Sequence, residues 1–165
     1  MKIVSGGQTG ADRAALDFAL HRGMPCGGFC PRGRLAEDGE IPAGYPLQEC
    51  DSTDYRVRTR RNVLDSHATV VFSRGPLQGG SLLTWQLCQE RQRPVLHLDG
   101  LQLEPPAAAV ELSNFMVCHF VGVLNVAGAR ASHDAGIYEY TYEVLRLAFA
   151  GPRPESSALI TAGDS

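Results

Sequence analysis

The chain has 165 residues, 44% of them apolar and 20% charged, the profile of a water-soluble globule with one core. Its net charge of −3 argues against a general nucleic-acid binder, and no apolar run is long enough to span a bilayer. Met1 leads straight into a strand pattern with no leader signature, so a cytoplasmic protein is expected.

In chain order, Lys2–Ser5 reads as a first strand. Ala11, Ala14, Ala15, Phe18 and Ala19 then mark the apolar stripe of a helix that Gly23 and Pro25 stop. A short strand is expected near Gly27–Cys30. A basic helix follows over Tyr55–Ser66, and Ala68–Ser73 (ATVVFS) is a β-branched strand. Gly80–Gln92 reads as a helix turning Leu82, Leu83, Leu87 and Trp85 inward. Pro94–Leu98 is a strand, Pro106–Phe120 a helix, and Val121–Val126 the last strand. Ile137–Ala150 is a helix with Ile137, Thr141, Val144, Leu145 and Ala148 on one side. Alternating strands and helices predict an α/β fold: a Rossmann-like, doubly wound, mostly parallel sheet with helices on both faces. One ligand-binding domain is expected over residues 1–150. A disordered tail, rich in Pro, Ser and Gly, is expected over 151–165.

The turn Ser5-Gly6-Gly7-Gln8-Thr9-Gly10 joins the first strand to the first helix. Glycines there let backbone approach a ligand, and a helix N-terminus offers unpaired N–H groups and a positive dipole end. Such a turn can hold phosphate or another oxyanion, with Thr9 capping the helix or donating to the ligand. It is neither a P-loop, since no Lys follows the last glycine, nor a G-x-G-x-x-G fingerprint. A tight turn with no ligand is the competing reading. On the site reading, a β-branched residue at Gly10 would abolish binding and spare the fold. A second glycine-rich turn, Ser73–Ser81, follows the ATVVFS strand, and a polar turn, Asn125–Arg130, leaves the last strand. In open α/β sheets such turns face one crevice.

Arginines cluster at 32 and 34 and at 56, 58, 60 and 61. They match oxyanions with paired donors, although at least one of the helical three at 58, 60 and 61 must point away from the sheet. The five cysteines are spaced irregularly, and no pair of the five histidines has ligand spacing, so reduced thiols and no metal site are expected. Trp85 and the tyrosines read as packing residues, with Tyr138 or Tyr140 able to reach a neighbouring subunit.

Several long motifs together resemble the putative molybdenum carrier family: SGGQTGADRAALDFA, GFCPRGRLAEDGEIP before YPLQE, YRVRTRRNVLDSHATVVFS, GGSLLT and LNVAGARAS…GIY. That family is a branch of the Rossmann-like superfamily of molybdenum cofactor carrier proteins and cytokinin-activating phosphoribohydrolases. The similarity covers about residues 1–150. It implies a homodimer or homotetramer that binds a phosphate-bearing small ligand or oxyanion: molybdenum cofactor, molybdate or a nucleotide. By the same resemblance Gly6, Gly7, Gln8, Thr9, Gly10, Asp12 and Arg13 form the first loop, and Gly79, Gly80, Ser81 and Thr84 the second. Arg58 and Asn62 come from the middle helix, and Asn125 and Arg130 from the last turn.

The phosphoribohydrolase relatives carry P-G-G-x-G-T-x-x-E, and Thr84 stands where that Glu would be. A hydroxyl cannot serve as the carboxylate base, which favours a binding protein over an enzyme. The alternatives are a nucleotide-processing hydrolase, with Asp12, Glu37 or Asp38 as carboxylate and Mg2+ as a possible helper, and a nucleotide-sensing module.

Overall fold

The computed structural model describes residues 1–150, and the expected disordered tail at 151–165 lies outside the described residues. Five parallel strands form the central sheet: β1 (Lys2–Val4), β2 (Cys26–Gly27), β7 (Ala68–Ser73), β8 (Val95–Asp99) and β9 (Val123–Gly128). Five helices accompany them: α1 (Ala11–His21), α2 (Tyr55–Leu64), α3 (Gly79–Glu90), α4 (Pro105–Cys118) and α5 (Ile137–Ala148). The predicted Rossmann-like α/β architecture is the one observed.

Spatial order across the sheet is β2-β1-β9-β7-β8. Counted from β9 as the first strand, followed by β1, β2, β7 and β8, the order becomes 3-2-1-4-5, that of a doubly wound dinucleotide-type sheet. The strand that opens such a fold stands last in this chain. The winding direction reverses between β9 and β7, and ligands of open α/β sheets lie in the crevice beyond the carboxyl ends of strands at such a reversal.

Side-chain alternation sorts the two faces. Ala68, Val70 and Phe72 of β7 enter the main core with Ile3, Phe18, Leu98, Leu112, Leu124 and Val144. α1, α4 and α5 close this face, where Phe72 meets Tyr140 edge-on at 6.1 Å. The alternate residues face α3, and there the interior is polar: Asn125 donates to Thr69 Oγ1 at 3.2 Å. This explains a departure from the expected α3 face. α3 buries Ser81, Thr84, Leu87 and Cys88, and Leu82 is 37% exposed.

The stretch expected near Gly27–Cys30 is two strands in two sheets. β2 extends the main sheet, whereas β3 (Phe29–Cys30) pairs with β6 (Gln48–Glu49). Gly28 makes the break at φ 131, with a β-carbon there falling 2.1 Å from Ser5 O, so only glycine fits. β4 (Leu35–Ala36) and β5 (Gly39–Glu40) add a small antiparallel hairpin. Arg34 braces the chain beyond it by donating to the carbonyls of Ile41, Pro42, Tyr45 and Leu47. Asp54 caps α2 by accepting from Arg56 N at 2.9 Å. All five cysteines are free thiols, with Cys30, Cys50 and Cys88 buried. No helix among the described residues is long and apolar enough to cross a membrane.

Candidate functional site

β7 ends at Ser73, and the chain turns through Arg74-Gly75-Pro76-Leu77-Gln78 into α3. Asp99, at the end of β8, holds the turn by accepting from Gly75 N at 2.8 Å and Leu101 N at 2.9 Å. Ser81 closes the helix entrance, donating to Gln78 O at 2.7 Å. Gly79 and Gly80 are the first residues of α3, where backbone amides have no intrahelical acceptor. A β-carbon at either would meet nothing within 4 Å. The helix end is therefore open in front.

The opposite wall is the turn after β9. Arg130 lays its guanidinium over the Tyr55 ring of α2 at 4.9 Å, and Arg58 approaches the same ring at 5.8 Å. Arg74 pairs with Asp134 at 3.2 Å, and Arg58 with Asp12 at 3.4 Å. Together these elements enclose a crevice of about 370 Å³ with Gln8, Asp12 and Ser73 among its lining residues. It lies at the β9/β7 reversal. Burial pushes the Asp12 carboxyl above the ordinary carboxylate range, against the opposing pull of the Arg58 and Arg130 charges. The guanidinia of Arg58, Arg74 and Arg130 outnumber the carboxyl groups of Asp12 and Asp134 in the crevice lining. The local charge is thus cationic in a chain of net charge −3.

Eight of the residues singled out in the sequence meet at this crevice: Gln8, Asp12, Arg58, Gly79, Gly80, Ser81, Thr84 and Arg130. Thr84 Oγ1 donates to Gly80 O at 2.9 Å. The others stand outside its lining. Gly6 packs against the Arg58 guanidinium and Gly7 against Leu47 and Ile41. Gly10 abuts the backbone of Ala129 and Ala131, and the first amide of α1, on Ala11, donates to Ala129 O at 3.2 Å. The Thr9 hydroxyl donates to Glu37 and accepts from Ala131 N. Glu37 also accepts from Ser132, which holds its carboxyl below the ordinary range together with the Thr9 bond. Arg13 forms a two-pronged pair with Asp38, lowering that carboxyl as well. Asn62 brackets the Phe29 backbone, accepting at 2.8 Å and donating at 3.0 Å, and Asn125 lies within the sheet.

Tyr55, Arg74, His133 and Asp134 line the crevice without having been singled out. Arg74 follows directly on the end of a strand, in a turn already read as glycine-rich, and that position was its signal. The pairing of Tyr55 with Arg130 joins segments 75 residues apart and leaves no local trace. Among the described residues no group of three or more His, Cys, Asp or Glu side chains is arranged to hold a metal ion. Tyr138 and Tyr140 bond within the chain, to Asp17 at 2.6 Å and Leu103 O at 2.8 Å.

Against this geometry, no curated protein matches the chain. A solved structure of a putative molybdenum carrier protein from Syntrophus aciditrophicus SB is 47% identical over 90% of this chain and 94% of its own, with a TM-score of 0.89. The family model that matches, over residues 3–159, describes the circularly permutated YpsA SLOG family. The displaced strand order of the central sheet is what such a permutation produces. The resemblance read from the motifs is borne out, and the chain belongs to the circularly permutated YpsA SLOG family.

Proposed function

We propose that this chain is a carrier-type binding protein that holds a small phosphate-bearing ligand or oxyanion in the crevice between β7 and β9. The observation that carries the reading is the open N-terminus of α3, where Gly79 and Gly80 leave room for an anion among Arg58, Arg74 and Arg130. A volume of about 370 Å³ suits a mononucleotide or a phosphorylated pterin. The name of the Syntrophus protein favours molybdenum cofactor, whose phosphate would lie at Gly79–Gly80 and whose ring would rest beside Tyr55. Molybdate alone would use the same donors. Assembly as a homodimer or homotetramer in the cytoplasm belongs to the same proposal. Exposed Val110, Val117 and Phe120 on and just after α4 offer an apolar contact face for it.

Calorimetric titration of protein prepared without phosphate tests the reading, using inorganic phosphate, molybdate and adenosine monophosphate as probes. Saturable binding is expected for at least one, weakened about tenfold or more in Arg74→Ala and Arg130→Ala and at raised salt. Binding of none, or affinity indifferent to both arginines, would sink the proposal.

Asp12 supports a second reading, nucleotide hydrolysis. Burial in the crevice raises the affinity of this carboxyl for its proton, the direction of shift that suits a general acid. Product formation lost in Asp12→Asn, with ligand affinity kept, would favour the enzyme over the carrier.

A further inference from the structure

We propose that Ser73, in the lining of the crevice, and its hydrogen-bonded neighbour His97 form a nucleophile–base pair, competent to cleave a small anionic carboxylic ester through a covalent seryl intermediate. Ser73 is the last residue of β7, 4% exposed, and lines the crevice. His97 sits on β8, opposite Val71, so that it and Ser73 are diagonal neighbours on the face beneath α3. Ser73 Oγ and His97 Nε2 lie 2.7 Å apart. That is the reach a base needs to take a hydroxyl proton.

The imidazole is held in place as well as near. The Trp85 ring of α3 meets it edge-on at 6.3 Å, with 67° between the planes. Burial lowers its proton affinity against the weaker opposing charge of Asp99. In the resting state the Ser73 hydroxyl donates to Gly75 O at 2.6 Å, and His97 Nε2–H donates to Ser73 Oγ at 2.7 Å. In the activated state the imidazole carries its proton on Nδ1, and rotation about the Cβ–Oγ bond turns the Ser73 proton toward the freed Nε2 lone pair with no heavy atom displaced. Gly79 and Gly80, the first residues of α3, line the same crevice, and their amides, without intrahelical acceptors, can receive the oxyanion that develops on an attacked carbonyl. The surrounding guanidinia select a substrate that carries negative charge.

The chemistry closes without another reagent except water. Ser73 Oγ bonds to the ester carbonyl carbon and its proton passes to His97 Nε2. The bond from that carbon to the alkoxy oxygen breaks, and the proton leaves with the alcohol. Water then attacks the acyl-serine, gives one proton to His97, and releases the carboxylic acid as the proton returns to Ser73 Oγ.

A fluorophosphonate probe, followed by peptide mass spectrometry of the full chain, tests the pair. The expected result is a stoichiometric adduct on Ser73, absent in Ser73→Ala and formed about 100-fold more slowly in His97→Gln. No Ser73 adduct on the wild-type chain overturns the proposal whatever the variants do. An unchanged rate in a folded His97→Gln protein, verified by its melting temperature, overturns the role of the base. The label needs only the serine and its base, so its outcome is separate from that of the phosphate and molybdate titrations.

Discussion

The molecule has two glycine-rich strand-to-helix turns that look alike on paper and differ in space. After β1, the turn is filled by the protein itself. Leu47 and Ile41 pack on Gly7, the Ala129–Ala131 backbone presses on Gly10, and Ala129 O takes the first amide of α1. After β7, Gly79 and Gly80 face open space at the head of α3. A glycine in such a turn thus serves one of two ends. It lets other backbone come close, or it leaves a helix end uncovered for a ligand. Only three-dimensional surroundings separate the two, because both ask for the same missing side chain.

Substitution should therefore have opposite consequences in the two turns. At Gly10 a β-carbon would sit 2.4 Å from Ala129 O with φ at 80. Both the clash and the conformation oppose any side chain, and a β-branched one most. Gly10→Val should destabilise the fold by about 3 kcal/mol or more. That reverses the expectation that such a change spares the fold. Chemical denaturation measures it, and a Gly10→Val protein as stable as wild type would remove the distinction between the turns. Gly80→Ala should leave stability unchanged or raise it by up to about 1 kcal/mol, since alanine suits a helix better than glycine. The added methyl would stand where an anion is proposed to lie, and phosphate affinity should fall about tenfold by calorimetry. Unaltered affinity would place the anion elsewhere.

Much of the frame was legible because it follows local rules. The ATVVFS run is β7 residue for residue, since a strand buried on both faces needs an unbroken apolar and β-branched stretch. The start of α5 at Ile137 was equally plain. Leu82 misled because it was read as core, whereas α3 turns Ser81 and Thr84 toward a polar layer of Thr69 and Asn125. The β4–β5 hairpin went unread, although Asp38-Gly39 was a turn signal in plain sight. In the crevice, Gly79, Gly80, Arg58 and Arg130 were legible as a glycine turn and arginines that suit an anion. Tyr55 was not, because its role depends on the guanidinium of Arg130 arriving from the far end of the chain.

The carboxylates of the two regions sharpen the contrast through pH, with smaller effects. Asp12, buried in the crevice, has its folded pKa raised by desolvation. Its contribution to stability is complete below the ordinary carboxylate range and is lost as pH rises through the raised value. Glu37 and Asp38 have lowered values because Ser132, Thr9 and Arg13 hold their charged forms. They stabilise above the ordinary range, and that stabilisation is lost as pH falls through their folded values. Both are exposed, so solvent screening limits each to less than about 1 kcal/mol. Denaturation curves between about pH 3 and pH 8 should then diverge in opposite directions. Asp12→Asn should gain on wild type as pH rises, because the variant has no buried charge to form. Asp38→Asn should lose a little at neutral pH, and the difference should vanish in acid. If Asp12→Asn instead lost stability at neutral pH, the Arg58 ion pair would outweigh burial. Asp12 would then be an ionised carboxylate like Glu37 and Asp38, too weak a proton donor for the hydrolytic reading and a counter-charge against any anion in the crevice.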